Sequence, residues 1–193
     1  MIQKISSRKI IILISGPHGT GKTTIARALA KRFNLRYISA GEIFRKKAKE
    51  LGYNLIEFTK YVEKHPEIDY EIDNTIKAEL EKGDAVLDSQ LAYFFAKFLD
   101  DDKFIKISIM IYADLETRVK RVMKRENIDY HTARENVLAR EQSEQNRFKR
   151  LYNVDLWAID DFDAIINTTN LDENSAIELC ELIVEKLIEI KSR

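Results

Sequence analysis

Lys9–Ser15 is a run of mostly β-branched apolar residues closed by Gly16, which predicts a strand buried on both faces. Lys22–Phe33 follows, with Ile25, Ala28, Leu29 and Ala30 at helical spacing. Arg36–Ile38 predicts a short second strand. Ser39-Ala40-Gly41-Glu42 has the spacing of a capping box, so the next helix is expected to start at Ser39. Asn54–Lys64 reads as a further helix, and Pro66 suits the first turn of another that runs to about Glu81, before Gly83 breaks the pattern. Asp84–Asp88 is a third strand candidate, and Leu91–Leu99 an apolar helical stretch. Lys106–Tyr112, mostly Ile, predicts a fourth strand. Asp114 stands where an N-cap would begin a helix ending near Glu126, and Asn127-Ile128-Asp129 separates it from a charged helix over about 130–150. Asp163–Ile166 predicts a fifth strand, and Ser175–Ile190 a last helix with Ile177, Cys180, Val184, Leu187 and Ile188 near one face.

Strands that alternate with helices imply an α/β fold: a five-stranded parallel sheet with helices on both faces. Such sheets bind ligands at the carboxyl ends of their strands. Ser39, Asp88 and Asp114 all stand just beyond predicted strand ends.

Composition narrows the picture. A chain of 193 residues, 45% hydrophobic and 33% charged, suits one globular domain with a real core. The longest apolar run, Ile10–Ile14, is strand-sized and far below the ~20 residues of a membrane span. Met1–Lys9 is too short and polar for a secretory signal, so a cytoplasmic protein is expected, with no membrane partner. The formal net charge is zero, which argues against a generic nucleic-acid binder. Charge is locally uneven: 118–125 and 134–150 are rich in Arg and Lys, a pattern suited to a small anionic ligand. The single cysteine, Cys180, excludes an intrachain disulfide and a multi-cysteine metal site, and its apolar helical setting points to packing. Abundant Ile, Lys and Glu with two prolines lean towards a thermophile.

The chemistry is concentrated after the first strand. Gly16-Pro17-His18-Gly19-Thr20-Gly21-Lys22-Thr23-Thr24 carries the pattern of an ATP-phosphate cradle, a P-loop. Its glycines let the backbone turn tightly and aim amides inward, and the following helix adds its positive end. Lys22 is placed to reach the β- and γ-phosphates, and Thr23 to hold Mg²⁺. His18 occupies a variable position and is read as filler. Asp88, ending the third strand, is the candidate second metal residue. Arg140, Arg147, Lys149 and Arg150 crowd one helix, with Arg140 and Arg147 on a shared face. Guanidinium groups suit a phosphoryl group in transfer. Because Glu135, Glu141 and Glu144 interleave with them, charge pattern alone favours a solvated helix laced with ion pairs.

Five segments change that weighting: 14–24, Tyr37-Ile-Ser-Ala-Gly-Glu-Ile-Phe-Arg45, His65-Pro-Glu-Ile-Asp69, Arg140-Glu-Gln-Ser-Glu-Gln-Asn-Arg-Phe-Lys149 and Ile165-Ile-Asn-Thr-Thr169. Through them nearly the whole chain resembles the nucleoside monophosphate kinases, in particular the archaeal cytidylate kinases. The first segment is specific only for P-loop proteins, whereas the second and fourth are far more specific.

The resemblance implies a P-loop kinase fold with core 1–38, 82–126 and 160–193, a helical monophosphate-binding insertion over 39–81 and a small lid over 127–159. It implies transfer of the ATP γ-phosphate to CMP or dCMP with Mg²⁺, in a protein expected to be a monomer. Ser39 and Arg45 would meet the acceptor, together with Asp88, Gln90 and Arg147. Lys22, Arg140 and Arg147 would carry transfer, the two arginines closing on both phosphate chains. Residues near Asn167–Asn170 resemble the loop beside the donor's adenine. Arg147→Ala is expected to cut turnover with little unfolding. One departure stands out: the family usually carries Gly-Arg after the third-strand acid, and here Ser89-Gln90 follows Asp88. Gln90 hydrogen-bonds without charge, which opens the choice of acceptor. The alternatives are a kinase for another acceptor, such as AMP or UMP, and a nucleotide-dependent regulatory module without transfer.

Overall fold

The computed structural model describes residues 8–193, so the reading of Met1–Lys9 as too polar for a signal lies, apart from its last two residues, outside the described part. Five strands form one parallel sheet: β1 (Lys9–Ser15), β2 (Arg36–Ser39), β3 (Ala85–Asp88), β4 (Phe104–Tyr112) and β5 (Ala164–Asn167), in the order β2-β3-β1-β4-β5. The fold is the expected α/β one. β1 is central and pairs with β3 and β4, which is why its Ile11–Ile14 segment is buried throughout. The register sets Ile14 beside Asp88 and Asp88 beside Ser39, so the carboxyl ends of three strands meet at one edge.

Among the described residues eight α-helices accompany the strands: α1 (Lys22–Phe33), α2 (Ala40–Glu50), α3 (Leu55–Lys64), α4 (Pro66–Lys82), α5 (Ala92–Ala96), α6 (Leu115–Glu126), α7 (Tyr130–Tyr152) and, after the last strand, α8 (Glu173–Lys191). One face of the sheet packs Ile12 and Ile14 against α1 and α8, through Leu29, Cys180, Val184 and Ile188. The Cys180 thiol is fully buried there, and burial pushes it up to about 12. The other face packs Ile11, Leu13 and Leu87 against α4 and α5 and the end of α7, through Ile76, Leu80, Phe95 and Phe148.

Between β2 and β3 the chain builds a satellite of three helices with its own core. Phe58 of α3 is fully buried among Ala48, Val62, Ile68 and Ile72, with the Phe44 ring 4.7 Å away. Asn54 caps α3 with a complete capping box through Glu57. At Ser39 only half of the expected box forms. Its hydroxyl accepts from the Glu42 amide at 3.3 Å, but the Glu42 carboxylate meets Arg27 at 2.5 Å instead of returning. The apolar stretch 91–99 is helical only over Ala92–Ala96. Beyond that, amides of Phe98 and Leu99 bond three residues back, to Phe95 and Ala96, so the chain tightens before the turn at Asp100.

α6 and α7 form an antiparallel pair joined by Asn127, in the left-handed conformation, and Asp129, which caps α7. The region expected as a small lid is therefore mostly one helix of 23 residues. Its first half packs Ala133 and Val137 on Val119 and Val122 of α6. Its second half lies over the cleft, where Arg150 donates to the Glu63 carbonyl of α3 at 3.0 Å.

Candidate active site at the carboxyl edge of the sheet

Gly16 leaves β1 with φ 135° and lies so close to β4 that a Cβ there would stand 2.0 Å from the Ile111 carbonyl oxygen. Gly19, at φ 83°, is pressed in the same way against the Arg118 carbonyl. These contacts, more than turn propensity, exclude side chains from the loop. Lys22 folds back in the first turn of α1 and donates to the Pro17 carbonyl at 2.7 Å, and Thr20 donates to the same oxygen at 3.0 Å. Burial lowers the Lys22 ammonium from its ordinary value, opposed by the charges of Asp88, Glu144 and Glu141.

Thr23 and Asp88 come together as the sequence implied. The Thr23 hydroxyl donates to Asp88 Oδ2 at 2.7 Å, and Tyr37 donates to the same oxygen at 3.4 Å. This is a small all-oxygen set beside the loop, the donor type that Mg²⁺ prefers. Among the described residues no group of three or more His, Cys, Asp or Glu could hold a metal by itself.

Unforeseen contacts join α7 to the loop. The His18 amide donates to Glu141 Oε1 at 2.9 Å, and Arg118 of α6 donates to that carboxylate and, at 3.0 Å, to the His18 carbonyl. His18 Nε2 lies 2.9 Å from Glu144 Oε2. Burial lowers the His18 pKa, opposed by the charge of the Glu144 carboxylate beside it. Burial would raise Glu144, but His18, Arg140 and Arg147 outweigh it and hold the carboxyl at about 2. Gln90 completes the group, donating to Glu144 at 3.2 Å while its carbonyl groups accept from Ser15. His18 is thus the loop's tie to α7, not filler.

The far end of the loop is tied to β5. Arg121 donates to the Thr20 carbonyl at 3.1 Å and to the Thr168 carbonyl at 2.8 Å, and the Thr168 hydroxyl donates to the Thr20 carbonyl at 3.1 Å. The segment expected beside the donor base is therefore next to the phosphate loop.

Many of these groups border one cavity of about 1080 Å³ between the loop, α2–α4 and α7. Of the expected site residues, His18 to Thr24, Ser39, Arg45, Asp88, Gln90, Arg140 and Arg147 line it. Gly16 and Pro17 do not; they shape the loop from behind. Arg45 lies back over Gly41, where a Cβ would stand 3.3 Å from its Nη1. Neither Arg45 nor Arg140 has a hydrogen-bond or ion-pair partner among the described residues, and burial lowers Arg140 from its ordinary value.

Arg147 differs from both. It is 3% exposed, its Nε lies 2.9 Å from Asp69 Oδ2 of α4, and its Nη1 donates to Ser143 at 3.0 Å. The Nε and Oδ2 atoms are close but off the hydrogen-bond direction, so neither is satisfied in that sense. One turn on, Asp73 accepts from Tyr152 at 2.7 Å, and burial raises its carboxyl to about 7. This pairing argues against the expectation that Arg147→Ala would unfold the protein little. The variant leaves Asp69 buried without its counter-charge and is expected to lose about 3 kcal/mol. Thermal melting reads this as a fall of roughly 6–12 °C, and an unchanged melting temperature would remove the pair from the stability argument.

A sequence model of the cytidylate kinase-like family matches residues 11–170, from inside β1 to beyond β5. The chain belongs to that family. A cytidylate kinase of Methanocaldococcus jannaschii is 40% identical over 178 residues, covering 92% of this chain and 99% of that one. One from Methanopyrus kandleri is 38% identical over 187 residues, covering 95% and 97%. Among solved structures, an uncharacterised protein from Eubacterium ventriosum aligns at a TM-score of 0.66 with 24% identity, covering 93% of this chain and 98% of that one. A shikimate kinase of Acinetobacter baumannii in complex with shikimate aligns at 0.56 with 16% identity, covering 97% of each chain. At such identities these structures speak for the fold alone.

In this cytidylate kinase-like chain, Glu141, Glu144, Asp69, Asp73, Arg118 and Arg121 escaped the sequence reading as site residues. Asp69 ends the quoted His65–Asp69 segment, and Arg118 and Arg121 lie in the basic stretch already noted, so their positions were visible but their partners were not.

Proposed function

We propose that this protein transfers the γ-phosphoryl group of ATP to CMP or dCMP. The observation that carries the reading is the pair of guanidinium groups, Arg45 and Arg140, that have no hydrogen-bond or ion-pair partner among the described residues and line the same cavity as the phosphate loop. Arg45 is exposed and Arg140 half-buried, so both guanidinium groups are open to an anion entering the cleft, which each can meet with paired hydrogen bonds. The cavity slightly exceeds the ~300–1,000 Å³ of ordinary single-ligand pockets, which suits two nucleotides end to end. The names of the archaeal relatives supply the acceptor base.

In this reading the loop amides and Lys22 hold the donor phosphates. Ser39 and Arg45, on the α2 side, hold the acceptor phosphate, and Arg140 faces the junction of the two. An acceptor phosphate oxygen attacks the γ-phosphorus in line, the bond from that phosphorus to the β,γ-bridging oxygen breaks, and ADP leaves. The attacking oxygen is already anionic, so no general base is needed. Thr23 and Asp88 would hold Mg²⁺, whose contribution when bound is to neutralise charge on the β- and γ-phosphates. Catalysis by the chain itself is positioning plus fixed positive charge. α7, lying over the cleft, keeps water from the phosphorus and so suppresses ATP hydrolysis. Arg147, held deep on the α4 side, is assigned to the acceptor and not to transfer.

The test is ADP release from ATP·Mg²⁺ with CMP, dCMP, UMP, AMP, GMP or no acceptor. Turnover that depends on CMP or dCMP is expected, with little ADP formed when no acceptor is present. A preference for AMP or UMP would move the acceptor while keeping the kinase. ATP binding without acceptor-dependent turnover would leave a nucleotide-binding module.

A further inference from the structure

Glu144 is an anion standing where a phosphate donor needs cations. It lies on α7 and lines the cavity, and its Oε2 is 2.9 Å from His18 Nε2 of the phosphate loop and accepts from Gln90 at 3.2 Å. Burial works against its charge, but His18, Arg140 and Arg147 outweigh that and hold the carboxyl at about 2, so it is ionised at pH 7. After Asp88, the same carboxylate supports the buried Lys22 ammonium, and it also supports the Arg140 guanidinium against burial. Lys22 and Arg140 are the groups assigned above to the phosphates in transfer, so part of their charge is met by the chain's own carboxylate. Glu141 is engaged otherwise. Its Oε1 accepts from the His18 amide and from Arg118, a matching cation, and it is not among the cavity's lining residues. The neutral side chain of Gln90 matters here. An arginine at that position would match the Glu144 charge outright, whereas the amide holds the oxygen in place and leaves its charge to the cavity.

We propose that Glu144 senses the γ-phosphate: it stands in for the terminal phosphate of a nucleoside triphosphate beside Lys22 and Arg140, and is displaced by that phosphate but not by a nucleoside diphosphate. This rests on the function proposed above only in taking the loop as the donor site. Two anions drawn to the same cations repel each other at close range. A triphosphate entering the loop pushes Glu144 away from His18 and Gln90, whereas a diphosphate fills only the α- and β-phosphate places and leaves Glu144 where it is. The displaced carboxylate gives up two of the contacts that join α7 to the loop and to the residue after β3. The position of α7 then depends on whether the donor still carries its γ-phosphate. Glu144 is a specificity and positioning residue in this scheme and takes no part in the transfer itself.

Calorimetric titration decides it. Wild type, Glu144→Gln and Glu135→Gln are titrated, without acceptor, with ADP and with the β,γ-imido analogue of ATP, each with Mg²⁺. A glutamine fits the space of Glu144 and can still accept from Gln90, but it removes the charge. Glu144→Gln should tighten the triphosphate analogue by about 5- to 50-fold and leave ADP within about twofold of wild type. Glu135→Gln removes an exposed charge from the first half of the same helix and should change neither. Glu144→Asp keeps the charge but withdraws it by one methylene, and should shift the analogue in the same direction by less; it serves as the test should the glutamine variant fold poorly. An equal gain for both nucleotides, or the same gain in Glu135→Gln, would make the effect one of net charge and overturn the proposal. Unchanged or weaker binding of the analogue would overturn it too, since a merely structural role would weaken both nucleotides. Failure of wild type to bind either nucleotide would instead strike the donor loop and the proposed function with it. Failure to phosphorylate CMP with both nucleotides bound would strike the acceptor alone and leave this result readable.

Discussion

Replacing Lys22 by alanine is expected to lower kcat/KM by about 10³-fold, the scale for removing a preorganised charge from a developing phosphoryl anion. The side chain is held in advance. It leaves the first turn of α1, folds back over the loop and bonds the Pro17 carbonyl at 2.7 Å. A phosphate entering the loop would exchange that carbonyl for its own oxygens with little movement of the ammonium. Burial weakens the charged form, and Asp88, Glu144 and Glu141 oppose that effect, so the fold keeps a cation in a place where an isolated one would be costly. Lys22 belongs to neither main hydrophobic cluster, so the variant should melt within about 2 °C of wild type. Transfer at even a tenth of the wild-type rate by a folded Lys22→Ala protein would show that the loop does not hold the reacting phosphate.

Arg140→Ala is expected to reduce kcat by about 10²-fold or more, again with little change in melting temperature. The two α7 arginines separate here. Arg147 is locked to Asp69, and its loss is read mainly as lost stability and weaker acceptor binding. Arg140 has no hydrogen-bond or ion-pair partner among the described residues, lines the cavity and is charged next to Glu144, which is itself held ionised. Removing Arg140 therefore breaks no hydrogen bond among the described residues; beyond what a bound anion would have met, it withdraws one of the charges that keep Glu144 ionised. A lysine at 140 should recover part of the rate, since the charge returns without the planar fork. The decisive readout is single-turnover transfer at saturating CMP and ATP. If Arg140→Ala changed only the KM for CMP and left that rate intact, Arg140 would be an acceptor anchor and not a transfer group.

Glu141 and Glu144 add a condition to both experiments. They are bonded to His18 in the loop, and Glu144 also to Gln90. Where the family resemblance leads one to expect an arginine after the third-strand acid, the chain instead carries a neutral amide bonded to a carboxylate of α7. Gln90 thus has a definite partner, and α7 is held over the cleft by hydrogen bonds to the loop and to the residue after β3.

Much of this was legible along the chain because it depends on neighbours in sequence. The β1–loop–α1 unit needs an apolar run, glycines where the backbone touches β4, and a helix start, all within 25 residues. The caps at Asn54, Asp114 and Asp129 are local for the same reason. Meeting of Thr23 with Asp88 could be inferred because parallel strands deliver their ends to one edge. The charged helix could not be resolved in this way. Its arginines and glutamates alternate, and at helical spacing they could equally have paired with one another in solvent. Packing of α7 across the cleft decided otherwise: it sent Glu141 and Glu144 to the loop, set Arg147 against Asp69 of another helix, and left Arg140 without a hydrogen-bond or ion-pair partner among the described residues. Those pairings join residues 78 to 126 positions apart. A one-dimensional pattern records which residues share a face of one element, while the partner across a cleft depends on how whole elements dock. The sequence by itself therefore determined the sheet, the phosphate loop and the family, and only the tertiary structure decided which charges are spent within the protein and which remain for a ligand.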